Sequence, residues 1–225
     1  NDGNGSFTDS GQALGSGYSY GVALADLDHD GDLDAVVVGG YGGSNIVYRN
    51  DGAGSFSQIQ SIYGGATTVV VLGDFDGDGF DDLFTSGGGG YYGGTQVRLN
   101  QGDGSFGYGL DQALPSIYAK AAAAGDIDGD GDLDIFLVGS GGARVLINNG
   151  GGYFTSYNQY IYGNMQDVAL ADLDGDGDLD AVVVGSYTRL LFNNGSSFSN
   201  YSQIGGYTDG RGVALGDLDG VPEAL

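Results

Sequence analysis

Apolar and polar positions follow one another along this chain in an order that is repeated. Each unit opens on a run of small apolar residues: Val22-Ala23-Leu24-Ala25, Val70-Val71-Leu72-Gly73, Ala122-Ala123-Ala124-Gly125 and Val168-Ala169-Leu170-Ala171, with a further run at Val213-Ala214-Leu215-Gly216. An aspartate-rich stretch follows, then a second run: Ala35-Val36-Val37-Val38, Leu83-Phe84-Thr85, Ile135-Phe136-Leu137-Val138 and Ala181-Val182-Val183-Val184. A Gly/Tyr-rich connection leads to a third run: Ile46-Val47-Tyr48, Gln96-Val97-Arg98-Leu99, Arg144-Val145-Leu146-Ile147 and Leu190-Leu191-Phe192. That run ends at an Asn and a glycine turn, and a fourth run begins at Phe56, Phe106, Phe154 or Phe198. Short runs bounded by Gly, Asn and Asp predict β-strands. The stretch Ala119–Ala124 would suit a helix, but its phase matches the other first runs and predicts a strand.

The leading aspartates of the polar stretches stand at 26, 74, 126, 172 and 217, with spacings of 48, 52, 46 and 45 residues. Four strands in a repeat of this length are the pattern of a β-propeller blade. Small first runs suit strands crowded around an axis, and continuously apolar second runs suit strands covered on both faces. One blade cannot bury its own faces, so the blades must stack. The expectation is one all-β domain over residues 1–225, a β-propeller of about five four-stranded blades, four complete and one shared or incomplete. The sharing follows from the ends. Asn1-Asp2-Gly3-Asn4-Gly5-Ser6-Phe7 matches Asn50-Asp51-Gly52-Ala53-Gly54-Ser55-Phe56, which predicts an outer strand at the start, and the run before Asp217 predicts an inner strand at the finish. The two pieces together hold 34 residues, about one strand short of a repeat.

The polar stretches read D-x-D-x-D-G-x-x-D at Asp26–Asp34, Asp74–Asp82, Asp126–Asp134 and Asp172–Asp180. Calcium takes six to eight oxygens at roughly 2.3–2.6 Å. The first, third and fifth positions would turn carboxylates inward: Asp26, Asp28 and Asp30; Asp74, Asp76 and Asp78; Asp126, Asp128 and Asp130; Asp172, Asp174 and Asp176. Glycine at the sixth position (Gly31, Gly79, Gly131, Gly177) permits a sharp turn that brings in the carbonyl of the seventh residue: Asp32, Phe80, Asp132 or Asp178. The ninth position supplies Asp34, Asp82, Asp134 or Asp180. An EF-hand needs Glu at the twelfth position and flanking helices; here that position is Val37, Thr85, Leu137 or Val183 within a β run. Magnesium suits such loops less well, because it prefers rigid octahedral sites with several waters. Without a cation, carboxylates about 4 Å apart repel by roughly 4 kcal/mol per pair at an effective dielectric of about 20. About four Ca2+ ions are expected, one per intact loop. The copy at Asp217 and Asp219 runs into Gly220-Val221-Pro222-Glu223; two residues are missing from the motif, and an ion there is not expected.

Charge sharpens this picture. The net charge is −24, and the loops with their damaged copy hold 23 of the 30 acidic residues. Acidity therefore belongs to the loops. Six Lys and Arg argue against nucleic acid. Cysteine is absent, which excludes disulfides and thiolate metal sites, and no apolar stretch is long enough for a membrane helix. One His, no Cys and no nucleophile motif give no support to an enzyme.

The four in-phase loops, together with turns such as Arg49-Asn50-Asp51-Gly52-Ala53-Gly54-Ser55-Phe56, resemble the FG-GAP/VCBS family, the calcium-bearing blades of integrin α-subunit propellers and of many secreted bacterial proteins. The resemblance spans essentially the whole chain, although the Gly-Ala-Pro element of the integrin version is missing. It implies extracellular or cell-surface recognition or adhesion, with calcium as a structural ion.

In such a blade the loops lie at one end of the strands. The other end would carry Tyr18, Tyr20, Tyr41, Tyr63, Tyr91, Tyr92, Tyr118, Tyr162, Tyr187 and Tyr207, ten of the 16 tyrosines. Tyrosine joins a flat apolar ring to a polar tip and suits a glycan or an extracellular protein. The same rings could instead pack against blade edges. His29 is expected to face water. Arg49, Arg98, Arg144 and Arg189, one per third strand, are expected to form ion pairs. Asn4, Asn194 and Asn200 head glycosylation sequons. The leading expectation is a calcium-stabilised recognition or adhesion module. The second is a subunit of a homopolymer or fibre completed by strand sharing between neighbours.

Overall fold

The computed structural model describes residues 4–14, 17–39, 43–88, 94–110, 112–115, 117–195, 197–204, 207 and 209–216. These residues form four antiparallel sheets and no helix. The first holds β1 (Ser19–Ala25), β2 (Asp34–Gly39), β3 (Ser44–Asn50) and β4 (Phe56–Tyr63). The second holds β5 (Thr67–Gly73), β6 (Asp82–Gly87) and β7 (Gln96–Arg98), with a single bridge, Asn100 to Phe106, where a fourth strand would lie. The third holds β8 (Ala119–Gly125), β9 (Asp134–Gly139), β10 (Gly142–Asn148) and β11 (Phe154–Ile161). The fourth holds β12 (Met165–Ala171), β13 (Asp180–Gly185), β14 (Thr188–Phe192) and β15 (Ser199–Ile204). Strands within each sheet follow in sequence order, as short hairpin connections require. The Ala-rich β8 is extended like the other first strands: its neighbours in the sheet, not its own propensity, decide its conformation.

Hydrophobic burial lies between sheets. Val36, Val38, Val47 and Ile62 of the first sheet pack with Leu83 and Phe106 of the second. Phe84 and Val97 of the second pack with Ile135, Leu137 and Phe154 of the third. Phe136, Val138 and Val145 of the third pack with Val183, Leu191 and Phe198 of the fourth. The second strands β6, β9 and β13 are buried along their whole length, as apolar residues on both faces require. First strands lie side by side, β1 against β5, β5 against β8 and β8 against β12. Each carries a register shift near its start, at Ser19/Gly21, Thr67/Val69, Ala119/Ala121 and Met165/Asp167.

Polar clasps join neighbouring sheets in the same way each time. The amide of Gln60 accepts from Phe106 N–H (2.8 Å) and donates to Phe106 C=O (2.7 Å). Gln112 accepts from Phe154 N–H and donates to Gly152 C=O; Gln159 does both with Phe198. Gln12 holds Phe56 N–H and Gly54 C=O on the first sheet. Residues 4–14 thus lie beside the first sheet as an outer strand would, although none of them joins a sheet. A second clasp runs from Asn100 Nδ2 to Leu27 C=O (2.9 Å), from Asn148 to Phe75 (2.8 Å) and from Asn193 to Ile127 (2.7 Å). A third contact is apolar. Leu133 and Leu179 press on Gly73 and Gly125, where an added Cβ would meet the leucine Cδ1 at 2.9 and 2.6 Å.

The outer face of the first sheet differs. Val22, Leu24 and Leu33 are more than half exposed, whereas Val168, the counterpart of Val22, is buried. At the other side, Gly210 and Val213 bond to Gly185 C=O and Asp167 Oδ2, so residues 209–213 run beside the fourth sheet.

Candidate metal centres and the tyrosine end

Each aspartate loop links a first strand to a second, and its own backbone holds it in shape. The sixth-position glycine donates its N–H to the first aspartate: Gly31 to Asp26 (3.0 Å), Gly79 to Asp74 (2.9 Å), Gly131 to Asp126 (3.1 Å) and Gly177 to Asp172 (3.1 Å). These glycines share φ of 95–96°, a conformation that a side chain would disfavour. The seventh residue donates its N–H to the fifth-position carboxylate in every loop. Side chains of the seventh residue lean away, over the glycine turn that follows the third strand: Asp32 on Gly52, Phe80 on Gly102, Asp132 on Gly150 and Asp178 on Gly195. That side chain takes no part in the cluster, which explains why Phe80 is accommodated.

Three carboxylates per loop present oxygens within 4.8 Å of one another: Asp26, Asp28 and Asp34; Asp126, Asp128 and Asp134; Asp172, Asp174 and Asp180; and, in the second loop, Asp74, Asp76 and Asp78. Asp30, Asp82, Asp130 and Asp176 stand outside these groupings. The ninth aspartates are more than ligand candidates. Asp34, Asp82, Asp134 and Asp180 are fully buried and are the first residues of β2, β6, β9 and β13. One oxygen accepts from the loop's second residue (Leu27, Phe75, Ile127 or Leu173) and the other from the Asn ending the third run, at 2.7–2.8 Å. The Asn side chain then donates to the eighth-position carbonyl and, in three cases, to the preceding sheet. Loop, third strand and neighbouring sheet are therefore tied through one carboxylate.

Burial pushes the Asp82 and Asp134 carboxyls up to about 6, against the pull of their backbone N–H partners; nearby carboxylates add to the rise. Burial also raises Asp34, Asp76 and Asp128, with neighbouring aspartates again contributing. The clusters thus hold more negative charge than their surroundings stabilise. Asp26 Oδ1 is buried without a hydrogen-bond partner, although its Oδ2 holds Gly31. A buried acceptor with nothing to accept from, in an all-oxygen donor set, fits a hard divalent cation. In the first loop, Arg49 Nε lies 2.8 Å from Asp28 Oδ2.

One expectation holds and one needs correction. His29 is exposed, as expected, and one face of its ring also stacks on Phe80 of the next loop, centroids 4.2 Å apart. It also occupies the left-handed region (φ 58°) where the other loops have Gly77, Gly129 and Gly175. Arg49 makes the expected ion pair, but among the described residues Arg98 and Arg144 have no carboxylate partner: Arg98 donates to Gly107 C=O and the Arg144 guanidinium lies 3.7 Å over the Tyr160 ring, while Arg189 donates to Tyr162 C=O.

At the opposite end of the strands Tyr18, Tyr20, Tyr63, Tyr118, Tyr162, Tyr187 and Tyr207 are all exposed. Tyr41, Tyr91 and Tyr92 lie outside the described residues, as does the damaged loop from Asp217 to Glu223. Among the expected rings, Tyr187 and Tyr207 meet edge to face at 6.0 Å. Tyr160, which was not expected, meets Tyr162 at 4.2 Å and 88°. Tyr18 and Tyr48 line a cavity of about 290 Å³. Tyr160, Tyr162 and Arg189 line one of about 510 Å³.

A family model described as FG-GAP-like repeat matches residues 26–85, 74–137 and 126–183. The chain belongs to this family. Each FG-GAP-like match runs from one aspartate loop through the next and into its second strand. The chain is similar to human cartilage acidic protein 1, 34% identical over an alignment of 79 residues that covers 29% of this chain and 12% of that protein. It is similar to mouse integrin alpha-7, 35% identical over an alignment of 91 residues that covers 33% of this chain and 8% of that one. The chain thus matches only a small part of either relative. In structure it is similar to a lectin of Agrocybe aegerita described as recognising non-reducing terminal N-acetylglucosamine, with 26% identity and a TM-score of 0.57 over 80% of this chain and 50% of the lectin. It shares its fold with the V. cholerae biofilm matrix protein Bap1, at 20% identity and a TM-score of 0.51 over 81% of this chain and 28% of that one.

The asparagine and glutamine clasps of these FG-GAP-like repeats were missed from sequence. A signal existed: one Asn closes every third run, and Gln12, Gln60, Gln112 and Gln159 each stand a few residues after a phenylalanine.

Proposed function

We propose that the four sheets are blades of a β-propeller of about five blades, that calcium occupies its aspartate loops, and that it recognises a glycan or an extracellular protein through its tyrosine end. The first and third carboxylates of each loop, with the ninth in the first, third and fourth loops and the fifth in the second, would hold the ion. Its charge would offset the clustered carboxylates and tie the first strand to the second. The site would be structural, and no catalytic role is assigned to any residue. The work would be done outside the cell or at its surface.

The observation that carries recognition is the exposure of all seven described tyrosines at one end, beside cavities large enough for a sugar ring. Likeness to a sugar-recognising lectin over 80% of the chain supports a glycan before a protein. A glycan array probed with the calcium-loaded protein tests this reading. Binding lost in Tyr162→Ala is expected; no binding across the array would remove the glycan.

A second reading, strand sharing between copies in a homopolymer, is favoured by the bare outer face of the first sheet and its loop. Leu33 there corresponds to Leu133 and Leu179, which press on Gly73 and Gly125. Gly216 stands at the matching place in the last inner run, and a Cβ there would meet nothing within 4 Å among the described residues. Two copies stacked head to tail would join them. A chain that stays monomeric by mass at both dilute and high concentration would sink this reading.

A further inference from the structure

The chain is strongly acidic, yet its cations are unevenly placed. Of six Lys and Arg, four stand toward the tyrosine end of the third and fourth sheets or of the segment that follows: Lys120 in β8, Arg144 in β10, Arg189 in β14, and Arg211. Twenty of the 30 acids are in the intact loops at the other end. Among the described residues, the acids toward the tyrosine end of these two sheets are Asp167 and Asp209, and Asp167 is engaged by the N–H groups of Val168 and Val213.

The cavity between β11 and β14 lies within this basic region. It measures about 510 Å³ and is lined by Gln159, Tyr160, Ile161, Tyr162, Arg189 and Leu191, with Phe198. Its walls are held in place. Arg189 Nη1 donates to Tyr162 C=O at 2.8 Å, and Tyr162 meets Tyr160 edge to face. Tyr160 lies under the Arg144 guanidinium at 3.7 Å. The Gln159 amide is fixed on Phe198 and closes the cavity wall. Among the described residues Arg144 has no carboxylate partner, and its Nη1 is buried without a hydrogen bond. Tyr162 remains 77% exposed, so the ring is held while its surface stays open to solvent. The corresponding positions are Ser61 with Tyr63 after Gln60, and Ala113 with Pro115 after Gln112, so neither of those junctions repeats this arrangement.

We propose that this cavity binds a carboxylated sugar, a uronic-acid-type pyranose, with its ring against Tyr162 and its carboxylate toward Arg189. The inference rests on the glycan reading above and narrows it. A pyranose matches a tyrosine ring in shape, and a guanidinium fork matches a carboxylate. Arg144 adds positive charge behind Tyr160. Neutral sugars would gain the stacking but not the charge.

The test is titration calorimetry with calcium-loaded protein, calcium being equal in cell and syringe. The probes are short oligomers of galacturonate, mannuronate and guluronate, the methyl esters of the same oligomers, and neutral chito- and cello-oligomers. At least one acid should bind tenfold or more tightly than its ester, and added salt should weaken it. Arg189→Gln and Tyr162→Ala should each weaken that acid at least tenfold, and Arg144→Met about threefold. Arg98→Gln should leave it unchanged. Melting temperatures measured alongside separate lost binding from lost folding. If Arg189→Gln does not fold, the acid-to-ester ratio of the unmodified protein decides. Acid and ester binding equally, or neutral oligomers alone binding, would overturn the carboxylate assignment and leave glycan recognition standing. No binding by any oligomer would overturn both.

Discussion

At the loop end of the sheets, every repeat does the same thing with the same residues; at the tyrosine end, the arrangements among the described residues differ from sheet to sheet. The first aspartate always takes the sixth-residue N–H, and the ninth always takes two backbone N–H groups. At the other end Tyr18 lines a cavity with Tyr48, Tyr162 leans on Tyr160, and Tyr187 meets Tyr207. Repetition within one chain marks what each sheet needs in order to stack. Difference between repeats marks where stacking makes no demand and a ligand can.

The largest single effect should come from removing a buried carboxylate at the repetitive end. Asp134→Ala leaves the N–H groups of Ile127 and Asn148 buried without acceptors and should cost about 3–5 kcal/mol in denaturant unfolding. A cost below about 1 kcal/mol would mean that the ninth aspartate serves the ion and not the fold. Next come the asparagine clasps. Asn148→Ala loses bonds to two carbonyls, one on the neighbouring sheet, and should cost about 2–3 kcal/mol. Asn50→Ala, whose side chain donates to Leu33 within its own sheet, should cost about 1 kcal/mol. Equal losses would show that the clasp between sheets adds nothing.

Acidity offers a smaller test of the same end. Burial raises the Asp82 and Asp134 carboxyls to about 6 in the folded, ion-free chain, above their value when unfolded. The folded state therefore binds these protons more tightly, and the stability they contribute is present at low pH and lost as pH rises through about 6. Ion-free protein should melt a few degrees higher at pH 5 than at pH 7. With calcium the order should reverse, because protons compete with the ion for the same oxygens. Parallel trends with and without calcium would contradict the assignment. The smallest expected stability effect is at the variable end. Tyr162→Ala should change stability by less than about 0.5 kcal/mol, since the ring is mostly exposed. A loss of 2 kcal/mol would make that tyrosine structural and remove the contrast between the ends.

The strands and loops were readable in the sequence because their signals are local. Alternating runs, glycine turns and four copies of one acidic string each predict a nearby conformation. The sheets follow because second strands such as Ile135–Val138 are apolar on both faces and must be covered twice. What was not readable depends on partners far along the chain. Asn148 bonds to Phe75 across 73 residues, and Gln60 to Phe106 across 46. Nothing in either residue type announces that reach. The stack of His29 on Phe80 and the place of Arg144 over Tyr160 depend likewise on how neighbouring elements meet. The ninth aspartates were legible as ligand candidates but not as struts, because the strut role is set by the end of the third strand.

The account's central claim is that calcium in the aspartate loops fastens the sheets. The most direct test is a thermal melt of the full chain with calcium at about 100 times its dissociation constant, and again after chelation. Each site would contribute about 2.7 kcal/mol at that concentration, so four sites would give roughly 10 kcal/mol. At about 2–4 °C per kcal/mol for a chain of this size, chelation should lower the midpoint by roughly 20 °C or more, and restoring calcium should recover it. A midpoint unchanged by chelator in a chain shown to be metal-free would contradict the claim.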